Sequence, residues 1–129
     1  MSIPYSERRS FLDAIFGTAA PADEQDTDRA QVSSEASELV SIFKALGHEG
    51  RFLILCYLMK GERSVAEFET LLAARQSTVS QQLARLRMEG LIQARREGNM
   101  IYYSLSDPRI APIIRACTEA MRTSALPGP

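Results

Sequence analysis

Metal-binding and nucleophilic side chains are scarce in this chain of 129 residues, which has one histidine, His48, and two cysteines, Cys56 and Cys117. Metal centres and acid–base sites are built from clusters of such groups, so no metal site and no histidine-based catalytic centre is expected. His48 falls at a helix start and reads as a cap or a surface residue. There is no paired carboxylate cluster, no partnered nucleophile and no Gly-rich phosphate loop, so neither an enzyme nor a cofactor is expected. No apolar run is long enough to span a membrane. Met1 to Phe16 mixes charges throughout, unlike a secretory leader, and a cytoplasmic location is expected.

Net charge is also small, at −1, which argues against a nucleic-acid partner until it is divided along the chain. Residues 1–40 carry three Arg against eight acids, whereas residues 41–129 carry twelve Lys and Arg against eight acids. The C-terminal part is therefore the basic part, as neutralisation of phosphates requires. The length suits one domain with one modest core.

Residues 1–34 are expected to form a short amphipathic helix, with Phe11, Leu12, Ile15 and Phe16 on one face, followed by an acidic linker over Gly17 to Ser33. The apolar face of that helix suits packing onto a dimer or onto a separate partner. A folded domain is expected over 35–124 and a disordered tail over 125–129. Glu35 to Leu46 and Glu49 to Lys60 read as helices. Asp107 is a cap for a last helix, whose buried stripe would be Ile110, Ile113, Ile114, Cys117 and Met121, with Pro112 near its start.

The most informative stretch is Ser64 to Leu105. Ser64 and Glu67 have the spacing of a capping box, and Val65, Phe68, Leu71 and Leu72 form an apolar stripe behind it. Ala73 to Gln76 interrupts that stripe, and Ser77 is a cap for a second helix over Thr78 to Met88. On this helix Val79, Leu83 and Leu86 point inward, which leaves Thr78, Ser80, Gln81, Gln82 and Arg85 facing outward. Such side chains hydrogen-bond base edges and phosphates in a major groove, and Ser77 joins them as a candidate contact. Gly90 suits the left-handed residue that ends a helix. Leu91 to Arg96 and Met100 to Leu105 are β-prone runs joined by a turn at Glu97-Gly98-Asn99. Arg95 and Arg96 would lie near the tip, within reach of phosphate. The fold expected is mostly α with a small β-hairpin wing, a winged helix-turn-helix.

Four runs, Ala45 to Leu55, Ser77 to Arg87, Gly90 to Ile92 and Ile101 to Leu105, resemble the ArsR/SmtB-type transcriptional repressors over roughly Glu38 to Met121. The resemblance implies a homodimer joined by its first and last helices, which binds a palindromic operator in double-stranded DNA and releases it when an inducer binds. Zinc-sensing members place an Asp and three His on the last helix. Here Asp107 matches, but Arg109, Ala120 and Thr123 do not. Arsenic-sensing members carry a Cys-x-Cys pair in the segment that is Ser64 to Glu67 here, which has no Cys.

Another branch senses sulfide, persulfide or oxidants through one Cys on the second helix and one on the last. Leu55-Cys56 after Arg51-Phe52-Leu53-Ile54 is similar to that branch. Its usual second position would be Arg122, and Cys117 lies five residues earlier, a rotation of roughly 140° beyond one full turn. The resemblance thus makes Cys56 and Cys117 candidate thiol sensors for a persulfide, a polysulfide or an oxidant. Two alternatives stay open. The cysteines are structural and another inducer acts, an atypical metal or a small ligand, or the winged helix is a protein-interaction module.

Overall fold

The structure, a computed structural model, describes residues 15–16 and 22–123. Its elements are α1 (Ala22–Leu46), α2 (Glu49–Leu58), β1 (Arg63–Ser64), α3 (Val65–Leu72), α4 (Gln76–Met88), β2 (Ile92–Glu97), β3 (Met100–Leu105) and α5 (Ile110–Thr123). The chain divides after Phe43 into two compact units.

The first unit contains most of α1. A linker was expected over Gly17 to Ser33, but Ala22 to Ser33 is helical and continues without a break to Leu46. The physical reason is composition: no Gly or Pro lies between Ala22 and Leu46, and the polar residues there include good helix formers. Gln31 donates to Glu35 one turn on, at 3.2 Å, a pair that supports helix. Of the amphipathic helix expected before residue 17, only Ile15 and Phe16 lie within the described residues; both are helical and exposed. The expected tail over 125–129 lies outside the described residues.

The second unit, from Lys44, holds the winged helix. Its core is Ile54, Leu55 and Leu58 of α2, Phe68 of α3, Val79, Leu83 and Leu86 of α4, then Leu91, Ile92, Ile110 and Ile114. Each fully buried side chain of this size contributes about 1.5–3 kcal/mol. The expected α3 stripe is buried only at Phe68, with Leu71 exposed. Three strands form an antiparallel sheet in the order β1-β3-β2. The β2–β3 register runs from Ile92 opposite Leu105 to Glu97 opposite Met100. The loop is therefore Gly98-Asn99, with φ +61° at Gly98 and no positive φ at Asn99, as a type II′ hairpin requires. The two-residue strand β1, with Arg63 opposite Tyr103 and Ser64 opposite Tyr102, was not expected.

Candidate nucleic-acid interface

The first helix of the pair, α3, starts as the sequence predicts. Ser64 Oγ accepts from the Glu67 N–H at 3.3 Å, and the Glu67 carboxylate accepts from the Ser64 N–H at 3.3 Å. Its end is less regular. Ala73 is left-handed, with φ 49°. The Ala74 N–H donates to Glu69 O at 3.2 Å and the Ala73 N–H to Thr70 O at 3.4 Å, the two bonds of a Schellman motif. This turn sets where α4 begins.

α4 begins at Gln76, with Arg75 as its cap residue and no side-chain capping bond. Ser77 was expected to cap this helix. It lies inside the first turn instead, because the left-handed Ala73 and extended Arg75 bring the chain into helix earlier. Its hydroxyl is thereby freed to face outward. At the other end the Gly90 N–H donates to Arg87 O and the Leu91 N–H to Leu86 O, both at 3.0 Å. Gly90 has φ +75°, so this end is a Schellman motif with the glycine where the sequence placed it.

Turning roughly 100° per residue from the buried row Val79, Leu83 and Leu86 puts Ser77, Gln81, Ala84, Arg85 and Met88 opposite the core. Ser77, Thr78, Ser80, Gln81 and Arg85 are all exposed. Arg85 forms an ion pair with Glu89 at 2.8 Å. Gln82 lies on the flank, half-buried. Its Oε1 accepts from Arg51 Nη1 at 3.5 Å, and its Nε2 lies 3.5 Å from His48 Nε2.

His48 is the N-cap of α2, and its Nδ1 accepts from the Gly50 and Arg51 N–H groups at 3.1 and 3.4 Å. Arg51 also reaches back, donating to Lys44 O at 2.9 Å and Ala45 O at 3.1 Å. Gln82 is thus less free to meet a base than Gln81. A groove of about 240 Å³ lies beside this cluster, lined by His48, Leu53, Leu72, Thr78, Val79 and Gln82 among others.

The two wing arginines differ sharply. Arg95 donates to Glu62 at 2.6 Å and to Glu97 at 2.7 Å, and its guanidinium lies 5.0 Å from the Tyr102 ring centroid. Hydrogen bonds to both carboxylates raise its pKa, and Arg95 in turn lowers that of Glu62. Arg96 donates to Gly98 O at 3.2 Å and has no ion pair among the described residues. Arg75 is an exposed cation at the start of α4 that the sequence reading passed over. The signal for it was the αL turn before it, which side-chain pattern alone does not reveal.

The candidate thiols occupy different environments. Cys56 is half-buried on α2 and Cys117 is exposed on α5. Burial pushes the Cys56 thiol above its ordinary pKa. Elements α2 and α5 pack against each other. Cys117 and Met121 continue the helical stripe of Ile110 and Ile114, but the stripe is buried only as far as Ile114 and Met121 is 82% exposed. The expectation of burial along the whole stripe is corrected to that extent. The first half packs on the core, and among the described residues nothing buries the second.

Asp107 does hold the approach to α5. Its carboxylate accepts from the Arg109 N–H at 2.9 Å and pairs with the Arg109 guanidinium at 2.8 Å, and these bonds lower its pKa. Among the described residues no three His, Cys, Asp or Glu side chains gather where they would hold a metal ion. No described helix is long and apolar enough to cross a membrane.

A model of the family described as bacterial regulatory protein, arsR family, matches residues 48–94. The chain is 38% identical over 96 residues to a biofilm growth-associated repressor of Agrobacterium fabrum, covering 74% of this chain and 82% of that protein. It is 36% identical over 84 residues to the transcriptional activator HlyU of Vibrio cholerae, covering 65% of this chain and 78% of that protein. The crystal structure of the transcriptional repressor BigR from Xylella fastidiosa aligns with a TM-score of 0.66 at 31% identity, over 77% of this chain and 98% of that chain.

Proposed function

This chain belongs to the arsR family of bacterial regulatory proteins, and we propose that it is a cytoplasmic repressor that binds a palindromic operator as a homodimer. The observation that carries this reading is the exposed polar row of α4, held by a capped α3 before it and a glycine-terminated end after it. Ser77, Thr78, Ser80, Gln81 and Arg85 face the major groove in this reading, and Arg96 on the wing and Arg75 meet phosphates. The second copy covers the apolar half-stripe of α5 at Cys117 and Met121.

Release comes from modification of Cys56 and Cys117 by a persulfide, a polysulfide or an oxidant. In the persulfide route one cysteine thiolate attacks the outer sulfur of the donor and expels the donor's thiolate. The second cysteine thiolate then attacks the Sγ of the first cysteine, breaks its bond to the outer sulfur and expels hydrosulfide, which closes a disulfide bridge. A disulfide needs Cα atoms about 4.4–6.8 Å apart, and sulfur atoms retained in the bridge extend that reach. Bridging α2 to the dimerisation helix would alter the spacing of the two recognition helices, which must match half-sites about 34–36 Å apart.

A second reading is favoured by one observation: Cys56 is half-buried with a raised pKa, the environment of a structural rather than a reactive thiol. Fluorescence anisotropy separates the two. A labelled duplex from immediately upstream of the gene is titrated at one salt concentration with reduced, persulfide-treated and peroxide-treated protein. Loss of binding on treatment that disappears in Cys56→Ser supports the thiol switch. Binding indifferent to every treatment returns both cysteines to packing, and an absence of salt-dependent DNA binding favours a protein-interaction module.

A further inference from the structure

The wing carries two adjacent arginines, and the sheet sends them to opposite faces. Along β2, Ile92 is buried and Ala94 half-buried, so by the two-residue period Arg96 shares their face while Gln93, Arg95 and Glu97 take the other. Arg95 stands opposite Tyr102 on β3, and Tyr102 stands opposite Ser64 on β1. From β2 the Arg95 guanidinium passes over the Tyr102 ring, 5.0 Å from its centroid, and reaches Glu62 at 2.6 Å, just before β1. It also holds Glu97, at 2.7 Å, beside the hairpin loop. One side chain thus ties together all three strands and the wing tip.

The charge on that face points the same way. Two carboxylates surround one guanidinium, so an approaching phosphate meets a net negative group. Among the described residues Arg96 has only the neutral Gly98 carbonyl as partner, at 3.2 Å, and no carboxylate compensates its charge. We propose that Arg95 is a positioning residue that braces the wing across its three strands, and that Arg96 is the wing cation that contacts phosphate. The inference rests on the DNA-binding reading above. It divides between two residues a role that their sequence alone assigns to both.

Salt dependence of binding to the upstream duplex, measured with the full chain, tests it. Each phosphate contact contributes a slope of about 0.9 in log K against log salt. Arg96→Gln is expected to reduce the slope by about that amount for each bound copy, and Arg96→Lys to restore it. Arg95→Gln is expected to weaken binding with the slope unchanged and to speed amide hydrogen exchange in the wing of the free protein. Arg95→Lys does not rescue exchange, because an ammonium lacks the planar fork that spans two carboxylates over a ring.

Glu62→Gln removes the brace while leaving the Arg95 cation. It is expected to speed exchange in the same way, whereas tighter binding with a steeper slope would mean that Arg95 had been freed for phosphate and overturns the proposal. A shallower slope in Arg95→Gln, or an unchanged slope in Arg96→Gln, also overturns it while leaving the DNA-binding reading standing. Failure of the wild-type protein to bind with any salt dependence overturns both.

Discussion

Replacing Arg51 tests how the recognition helix is held, because this side chain sits where three elements meet. Lys44 and Ala45 lie in the last turn of α1, whose final carbonyls have no partner within the helix. Arg51 donates to both, at 2.9 and 3.1 Å, and to Gln82 on α4 at 3.5 Å. Ala45 is 1% exposed, so water does not readily replace the lost donor.

A hydrogen bond from a charged group contributes about 1.5–3 kcal/mol, and the half-exposed setting places these toward the lower end. Arg51→Ala is therefore expected to cost about 2–3 kcal/mol, with helix propensity adding little because Ala and Arg are both good formers. Arg51→Lys keeps a charge near the helix end but loses the fork, and recovers roughly half. Urea unfolding followed by circular dichroism at one fixed protein concentration measures both. A cost under about 0.5 kcal/mol for Arg51→Ala, the range of an ordinary surface substitution, would refute the clamp.

The other expectations concern the turn before α4, the outward row of α4 and the start of α5. Ala73→Gly is expected to stabilise the protein by about 0.5–1 kcal/mol, seen as a higher Tm, because relief of the left-handed strain at φ 49° exceeds the added chain entropy of glycine. Gln81→Ala is expected to cost about 1–3 kcal/mol in discrimination between operator and scrambled duplex, and Gln82→Ala less, since Arg51 already holds Gln82. Asp107 has a lowered pKa in the folded state, so its contribution is present above the ordinary aspartate pKa of about 3.9 and lost as pH falls through the folded value. Asp107→Asn is accordingly expected to flatten the acid limb of a stability–pH curve below about pH 4 and to lower stability at neutral pH.

Much of this was legible because its causes are local. The capping box needs only Ser64 and Glu67 three residues apart, and Gly90 marks a left-handed helix end that few other residues tolerate. His48 caps α2 where its position at a helix start suggested a cap. The register of α4 was not legible. Ser77 is a good capping residue, and only the left-handed Ala73, a conformation with no side-chain signature, shows that the cap position had already passed to Arg75. Alternation along β2 was available from the sequence, but the partner that separates Arg95 from Arg96 is Glu62, thirty-three residues away. The α5 stripe illustrates a different limit. A helical apolar period states that a face requires cover, and it does not state what supplies it, so Ile114 and Cys117 share a stripe in sequence while one is buried and the other exposed.

The same contacts suggest how a change at α5 would reach α4. The Ser106 hydroxyl donates to Gly90 O at 2.8 Å, and the Ser106 and Asp107 N–H groups donate to Leu91 O at 3.0 and 3.4 Å. The segment that leads into α5 is therefore bonded to the two residues that terminate α4. Ile110 and Ile114 then fix the first turns of α5 in the same core as Leu83 and Leu86. A close-packed core transmits a displacement rather than absorbing it. A force applied to α5 at Cys117, one turn beyond Ile114, thus acts on the C-terminal end of α4, while the Arg51 contact to Gln82 steadies its middle. Unlocking the Arg51 contact should consequently leave α4 easier to displace. Under the thiol-switch reading, Arg51→Lys is expected to release DNA at a lower degree of cysteine modification than the wild type, measured by anisotropy against the fraction of modified thiol from mass spectrometry. Equal modification at half-release in the two proteins would show that the middle of α4 plays no part in the switch.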